Sequence, residues 1–235
     1  VKLDFKYQEW KVKFFTPILL INYRMQRKKL LSDNIPIFIT GTGTDVGKTI
    51  VSSILCEWLK ADYWKPIQSG DPQGGDRITI ESLVRHTGFT AHPESFKFQA
   101  PLSPHAAAKM EQVSIDLNMI KIPDTNRPLI IEGAGGLLVP INYENQTICD
   151  LIIHLGAKTI VVVKEYLGNI NHTLLTIEHL KRNQVKIAGL VFVGEELPHT
   201  WEIVSEATGL PLLFRVPIFP SIDSDTILNF ANKIS

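Results

Sequence analysis

The chain has 235 residues and a mass of 26.4 kDa, which suffices for one α/β domain with a sizeable core and requires no second domain. Lys plus Arg and Asp plus Glu each number 24, so the formal net charge is zero and no global field draws the chain to nucleic acid or to an anionic membrane. The expected partner is a small molecule, and the two cysteines, Cys56 and Cys149, lie in apolar stretches without metal or redox spacing, as in the core of a reduced cytoplasmic protein.

Residues 1–34 stand apart from the rest of the chain: they are rich in Lys and aromatics, have no clean period and contain Met25-Gln26-Arg27-Lys28-Lys29 near their end. They read as an N-terminal extension, with Met25 the natural start and Val1 to Arg24 translated upstream sequence or a loose appendage. The apolar run Phe14 to Ile21 is broken by Thr16 and Pro17 and falls short of the roughly 20 residues that span a bilayer. No small-residue cleavage site succeeds it, so no membrane segment is expected.

From Ile35 onward short apolar runs alternate with amphipathic stretches, the pattern of a mostly parallel sheet with helices on both faces. A first strand is expected over Ile35 to Thr40, ending in a glycine-rich turn. Lys48 to Leu59 then carries apolar residues at Ile50, Val51, Ile54, Leu55, Trp58 and Leu59, the spacing of a helix. Further strands are expected at Tyr63 to Lys65, Leu129 to Glu132, Thr159 to Val163, Ile187 to Val193 and Leu212 to Val216. Helices are expected at Ile78 to His86, Ile148 to Leu155, His172 to Arg182 and His199 to Ala207. The sequence has no internal repeat.

The turn after the first strand is Gly41-Thr42-Gly43-Thr44-Asp45-Val46-Gly47-Lys48-Thr49. Its glycines let backbone N–H groups curl toward one centre, and the helix N-terminus adds partial positive charge, as in a phosphate-binding P-loop. Lys48 is expected at the β and γ phosphates of ATP and the Thr49 hydroxyl on Mg2+. The loop departs from a standard Walker A, with Thr42 in place of the first glycine. Gly43 holds the place where the partitioning ATPases carry a lysine, which disfavours that subclass.

Lys65 closes the second expected strand, where a doubly wound sheet collects its ligands, although an isolated lysine there also reads as a solvated strand end. Glu132 ends an apolar strand, a placement that suits a Mg2+ ligand, just before Gly133-Ala134-Gly135, a second glycine turn that lets the backbone approach nucleotide or substrate. Asp76, within Gly74-Gly75-Asp76, reads as a metal ligand or as a helix cap. Gly168 to Asn171 opens a helix whose backbone N–H groups can take a carboxylate, although Asn169 or Asn171 taken alone reads as a helix cap.

Taken together these blocks resemble the dethiobiotin synthetases. The lengthened phosphate loop, Trp64-Lys65-Pro66-Ile67-Gln68-Ser69-Gly70, Ile131-Glu132-Gly133-Ala134-Gly135-Gly136 and Leu167-Gly168-Asn169-Ile170-Asn171-His172 occur in order, with the weaker Pro101-Leu102-Ser103-Pro104-His105 between them. The resemblance covers about Ile35 to the C-terminus. It implies a cytoplasmic homodimer that uses MgATP and carbon dioxide to close a urea ring on a diaminononanoate through a carbamate. It makes Lys65, Lys48 and Thr44 catalytic, and places nucleotide against Asp45, Val46, Gly47, Lys48, Thr49, Ile50, Asp76, Glu132, Gly133, Ala134 and Gly135. Metal falls to Thr49, Asp76 and Glu132. The diamine falls to Ser69, with its carboxylate held by Gly168, Asn169, Ile170 and Asn171 across the dimer interface.

Three positions depart from the family pattern. Val193 stands where an adenine-reading Asn is usual, Phe214 where a glycine is common, and Ser221 at the ribose-binding acid, so phosphate and metal chemistry are expected intact and base selectivity altered. The rival readings are a P-loop switch that has lost synthetase activity and an amidotransferase-type cobyrinate synthetase. Lys65 and Ser69 argue against the first, and the lack of room for a glutaminase domain against the second.

Overall fold

The computed structural model describes residues 17–70 and 75–235, with side chains from Tyr23 onward. The strands are β1 Ile37–Gly41, β2 Asp62–Trp64, β3 Ile67–Ser69, β4 Ala91–His92, β5 Phe96–Phe98, β6 Leu129–Glu132, β7 Lys158–Lys164, β8 Ile187–Val193 and β9 Leu212–Val216. The helices are α1 Pro17–Leu31, α2 Lys48–Leu59, α3 Gly75–Leu83, α4 Pro104–Met110, α5 Ile148–His154, α6 Asn169–Arg182, α7 Thr200–Thr208 and α8 Ser224–Lys233. Seven strands form one sheet in the order β4-β2-β6-β1-β7-β8-β9 and every neighbouring pair is parallel. Strands β3 and β5 form a separate parallel pair.

The central strands are apolar on both sides because both sides are covered, and their two-residue period divides the core. Phe38, Ile131, Val161, Val163 and Phe192 face one apolar cluster, shared with α4, α5, α6 and α7. Ile37, Ile39, Ile130, Ile160, Val162 and Val191 face the other, shared with α2, α3 and α8. This is the expected fold class, and the strands expected at Leu129 to Glu132, Ile187 to Val193 and Leu212 to Val216 have the expected limits.

Helix α2 is fully buried along Val51, Ile54, Leu55 and Trp58, with the Trp58 ring edge-on to Phe214 at 5.9 Å. It stops where Lys60 turns left-handed and donates its N–H to Cys56 O. Cys56 and Cys149 are free and buried, as their apolar surroundings imply.

Several elements differ from the sequence expectation. Helix α3 begins at Gly75 and ends at Leu83, three residues ahead of the expected span at each end, and α6 begins at Asn169 rather than His172. In both cases a glycine with positive φ, Gly75 or Gly168, starts the helix before the apolar period does. Strands β3, β4 and β5 and helices α4 and α8 were not expected. Three of these are strands of two or three residues, too short to show a period. Helix α8 is capped by Asp223, whose carboxylate accepts from the Thr226 N–H, and buries Ile227 and Ala231.

Within the expected N-terminal extension, residues 1–16 lie outside the described residues, while Pro17–Leu31 is helical. Leu30 is buried in the core beneath α2 and the Gln26 amide donates to Leu212 O at 3.0 Å. The buried Lys158 ammonium bonds both Leu30 O and the Asp33 carboxylate.

Candidate functional site

Strand β1 delivers the phosphate loop at its C-terminal end, in the crevice where the order of the sheet reverses. Thr42 N–H donates to Val162 O at 3.1 Å, tying the loop to β7, and Val46 is buried beneath it. Gly47 has φ +95°, and a Cβ there would lie 3.1 Å from Val193 Cγ1, so conformation and space both call for glycine. Helix α2 therefore starts at Lys48 with its first N–H groups directed at the loop.

Lys48 is almost fully buried and its ammonium donates to Gly43 O at 2.9 Å, arching over the loop. Burial lowers its pKa to about 8; Glu132 opposes this shift and Lys65 adds to it. Thr44 and Asp45 are exposed at the loop tip, and Ile50 is half-buried on α2.

Beside the loop four elements bring charged groups together. The Thr49 hydroxyl from α2 lies 3.1 Å from Asp76 Oδ1 and 3.0 Å from Glu132 Oε1. Asp76 comes from the first turn of α3 and Glu132 from the end of β6. The Lys65 ammonium, just beyond β2, bonds Asp76 Oδ2 and reaches Glu132 Oε1 at 3.5 Å. Burial works to lower the Lys65 pKa, but the facing Glu132 and Asp76 carboxylates outweigh it and the pKa is raised. Lys65 is thus a buried lysine paired with two carboxylates, and Asp76 is engaged inward by Thr49 and Lys65 rather than spent on a helix cap.

Glu132 is 1% exposed, and its second oxygen, Oε2, accepts from the Tyr63 phenol at 3.1 Å. Burial, with the Glu132 charge, pushes the phenol pKa well up, so Tyr63 keeps its proton. The chain leaves the sheet directly after Glu132 because Gly133 has no side chain: a Cβ would lie 2.7 Å from the Phe38 ring. Gly135 then passes close to the phosphate loop, a Cβ there falling 3.5 Å from Thr44 Oγ1. Ala134 is half-buried between them.

Among the described residues no three His, Cys, Asp or Glu are grouped to hold a metal. The set at Thr49 is two carboxylates and a hydroxyl, all hard oxygens converging on one point. That composition fits Mg2+, which takes one or two carboxylates and leaves its other positions to water and phosphate oxygens.

On the substrate side, Ser69 Oγ is buried and makes no hydrogen bond among the described residues. The adjoining Gly70 packs on Pro101, which brings two sequence blocks together. A cavity of about 430 Å³ opens beside Thr42, Gly43 and Thr44 and is lined also by His172, Leu175 and His179 of α6. Gly168 precedes α6 and Asn171 is exposed on its first turn, whereas Asn169 is buried, its amide donating to Glu165 Oε2 at 2.7 Å. Gly168, Asn169, Ile170 and Asn171 follow β7, three strands along the sheet from β2, which leads to Lys65. Tyr63 and the α6 residues facing the cavity were missed by sequence reasoning, since an aromatic in a strand and polar residues on a helix carry no distinctive spacing.

Of the three departures, Val193 packs against Gly47, Phe214 is buried against Trp58, and Ser221 is exposed and donates to Asp223.

A family model described as an AAA domain matches residues 36–226. An ATP-dependent dethiobiotin synthetase of Paramagnetospirillum magneticum is 43% identical over 81% of this chain and 92% of its own length. One from Christiangramia forsetii is 41% identical over 83% of this chain and 94% of its own. Among solved structures, a ParA family ATPase from Chlorobium tepidum TLS is 13% identical, covering 85% of this chain and 99% of its own with a TM-score of 0.54, which speaks to the fold alone. With motifs, fold and relatives in agreement, the chain belongs to the ATP-dependent dethiobiotin synthetase family.

Proposed function

We propose that the chain closes the urea ring of dethiobiotin from a diaminononanoate, carbon dioxide and MgATP. The observation that carries this reading is the buried Lys65 ammonium, held beside Lys48, Thr49 and two carboxylates at the open end of the sheet. One amine of the diamine adds to carbon dioxide and loses a proton, giving a carbamate. A carbamate oxygen attacks the γ phosphorus of ATP, the bond to ADP breaks, and the carbamic-phosphoric anhydride forms. The second amine then attacks its carbonyl carbon, expelling phosphate and closing the ring with loss of a proton.

The chain supplies positioning and charge rather than a nucleophile. Backbone N–H groups from Asp45 to Ile50 cradle the phosphates, Lys48 and Thr44 meet the transferring group, and Lys65 holds the carbamate, with Ser69 on the diamine. Gly133, Ala134 and Gly135 line the nucleotide. Thr49, Asp76 and Glu132 would hold Mg2+, which offsets phosphate charge when bound.

Gly168 to Asn171 act on the partner subunit's diamine in a homodimer, a reading supported by their place after β7, three strands along the sheet from β2. The exposed Leu138 and Leu175 around the cavity, and Leu167 at 99% exposure, offer apolar surface for that contact. The free, buried cysteines suit the cytoplasm. Nothing favours the switch, which has no use for a second buried lysine beside the loop. Feeding ¹³C-bicarbonate with diamine and MgATP tests the chemistry: label should appear in the ring carbonyl of the product, and an unlabelled product or none would defeat the proposal.

A further inference from the structure

Glu132 is almost wholly buried, so both of its carboxylate oxygens need partners. Oε1 faces the site, 3.0 Å from the Thr49 hydroxyl and 3.5 Å from the Lys65 ammonium. Oε2 faces away from it, toward the phenol of Tyr63 at 3.1 Å. Tyr63 is itself fully buried on β2, the neighbour of β6, in register with Ile130 two residues before Glu132. The pairing of the two strands therefore fixes the phenol against the carboxylate.

We propose that Tyr63 is a positioning residue for the metal: by occupying Oε2 it makes Glu132 a one-oxygen ligand, presenting Oε1 alone to a cation shared with Thr49 and Asp76. This rests on reading Glu132 as a metal ligand. A carboxylate with both oxygens free can turn to chelate a cation through both, which suits the larger and more adaptable Ca2+. One fixed oxygen suits Mg2+, with its near-octahedral demand. A phenol facing a carboxylate can only donate, so the arrangement has one sense.

The test is calorimetric titration of Mg2+ and Ca2+ into the full chain with a non-hydrolysable ATP analogue, and of the same analogue without metal. Tyr63→Phe should weaken Mg2+ binding by about tenfold, the low end of what outer partners of metal ligands contribute, and narrow the preference for Mg2+ over Ca2+. Metal-free analogue affinity should stay within about twofold. Mg2+ affinity unchanged, or lost in step with metal-free affinity, overturns the proposal, because a merely structural role moves both together or neither. Glu132→Gln separates the premise. If it leaves Mg2+ binding intact, the metal-ligand reading falls; if it weakens binding and Tyr63→Phe adds nothing in the double variant, Tyr63 acts through Glu132. Should Tyr63→Phe fail to fold, the parent decides: Ca2+ binding as tightly as Mg2+ contradicts one-oxygen presentation.

Discussion

Lys65 stands between Asp76 and Glu132, two carboxylates that also meet the Thr49 hydroxyl, so one pocket gathers a fixed cation and a metal-type donor set. Charge on a transferring phosphoryl group is felt most in the transition state, so Lys65→Gln should leave nucleotide binding largely intact and lower turnover about a hundredfold or more. Steady-state rates and analogue affinity check this, and turnover within about threefold of the parent removes Lys65 from the mechanism. Metal-type donors lie on the β2 and β6 side of β1 and Val193 on β8, on its other side, so on the proposed reading a nucleotide with its γ phosphate among those donors would extend its base toward Val193. Val193 has no group for a base edge, and a missing neutral hydrogen bond is worth about 0.5–1.5 kcal/mol, so nucleotide choice should relax by roughly two- to tenfold and GTP or CTP should support turnover at an appreciable fraction of the ATP rate. Val193→Asn should restore some preference for ATP. Specificity constants for the three nucleotides decide, and an unaltered ATP preference above about a hundredfold would exceed one such bond. At this scale Lys48, Thr49, Lys65 and Glu132 were readable because each borders a glycine turn or ends a strand. Tyr63 was not, because only the pairing of β2 with β6 aims its hydroxyl.

Among the elements, the helix before the domain shows what pattern alone missed. From Tyr23 on, α1 turns one face inward, with Leu30 buried and Tyr23, Gln26, Arg27 and Leu31 half-buried at helical spacing, but Gln26 and Arg27 are polar, so no clean apolar period marks it in the sequence. Its end is held by Asp33, whose carboxyl the Lys158 and Lys186 ammoniums keep well below the usual carboxylate range. A depressed folded value stabilises fully above the unfolded value near about 3.9 and is lost as pH falls below it. Asp33→Asn should therefore lower the urea midpoint at pH 7, with the gap from the parent shrinking steadily below about pH 4. The loss should be smaller than the roughly 3–5 kcal/mol of a fully buried pair, since the Asp33 side chain is 26% exposed. A gap independent of pH would mean that the carboxylate charge is not what holds α1. The long strands were readable because burial on both faces gives them continuous apolar runs, and α2 because its core-facing residues recur at helical spacing. The short β3, β4 and β5 were not, since they exist only through their parallel partners.

For the whole molecule, the parallel order β4-β2-β6-β1-β7-β8-β9 places the ends of β1, β2 and β6 side by side, so residues 48, 65 and 132 meet although far apart in sequence. The same architecture leaves Leu167 at the head of α6 almost wholly exposed; if a second copy completes the diamine site, as proposed, the chain should sediment as a dimer at micromolar concentration. A monomer with full turnover would contradict that completion. The family membership predicts one chemistry above all, ATP cleavage that waits for both the diamine and carbon dioxide. Phosphate release by the full chain with MgATP should be near background with a diaminononanoate alone or bicarbonate alone, and should rise sharply when both are present. Release that is unaffected by either addition would contradict ring closure and leave only a nucleotide hydrolase.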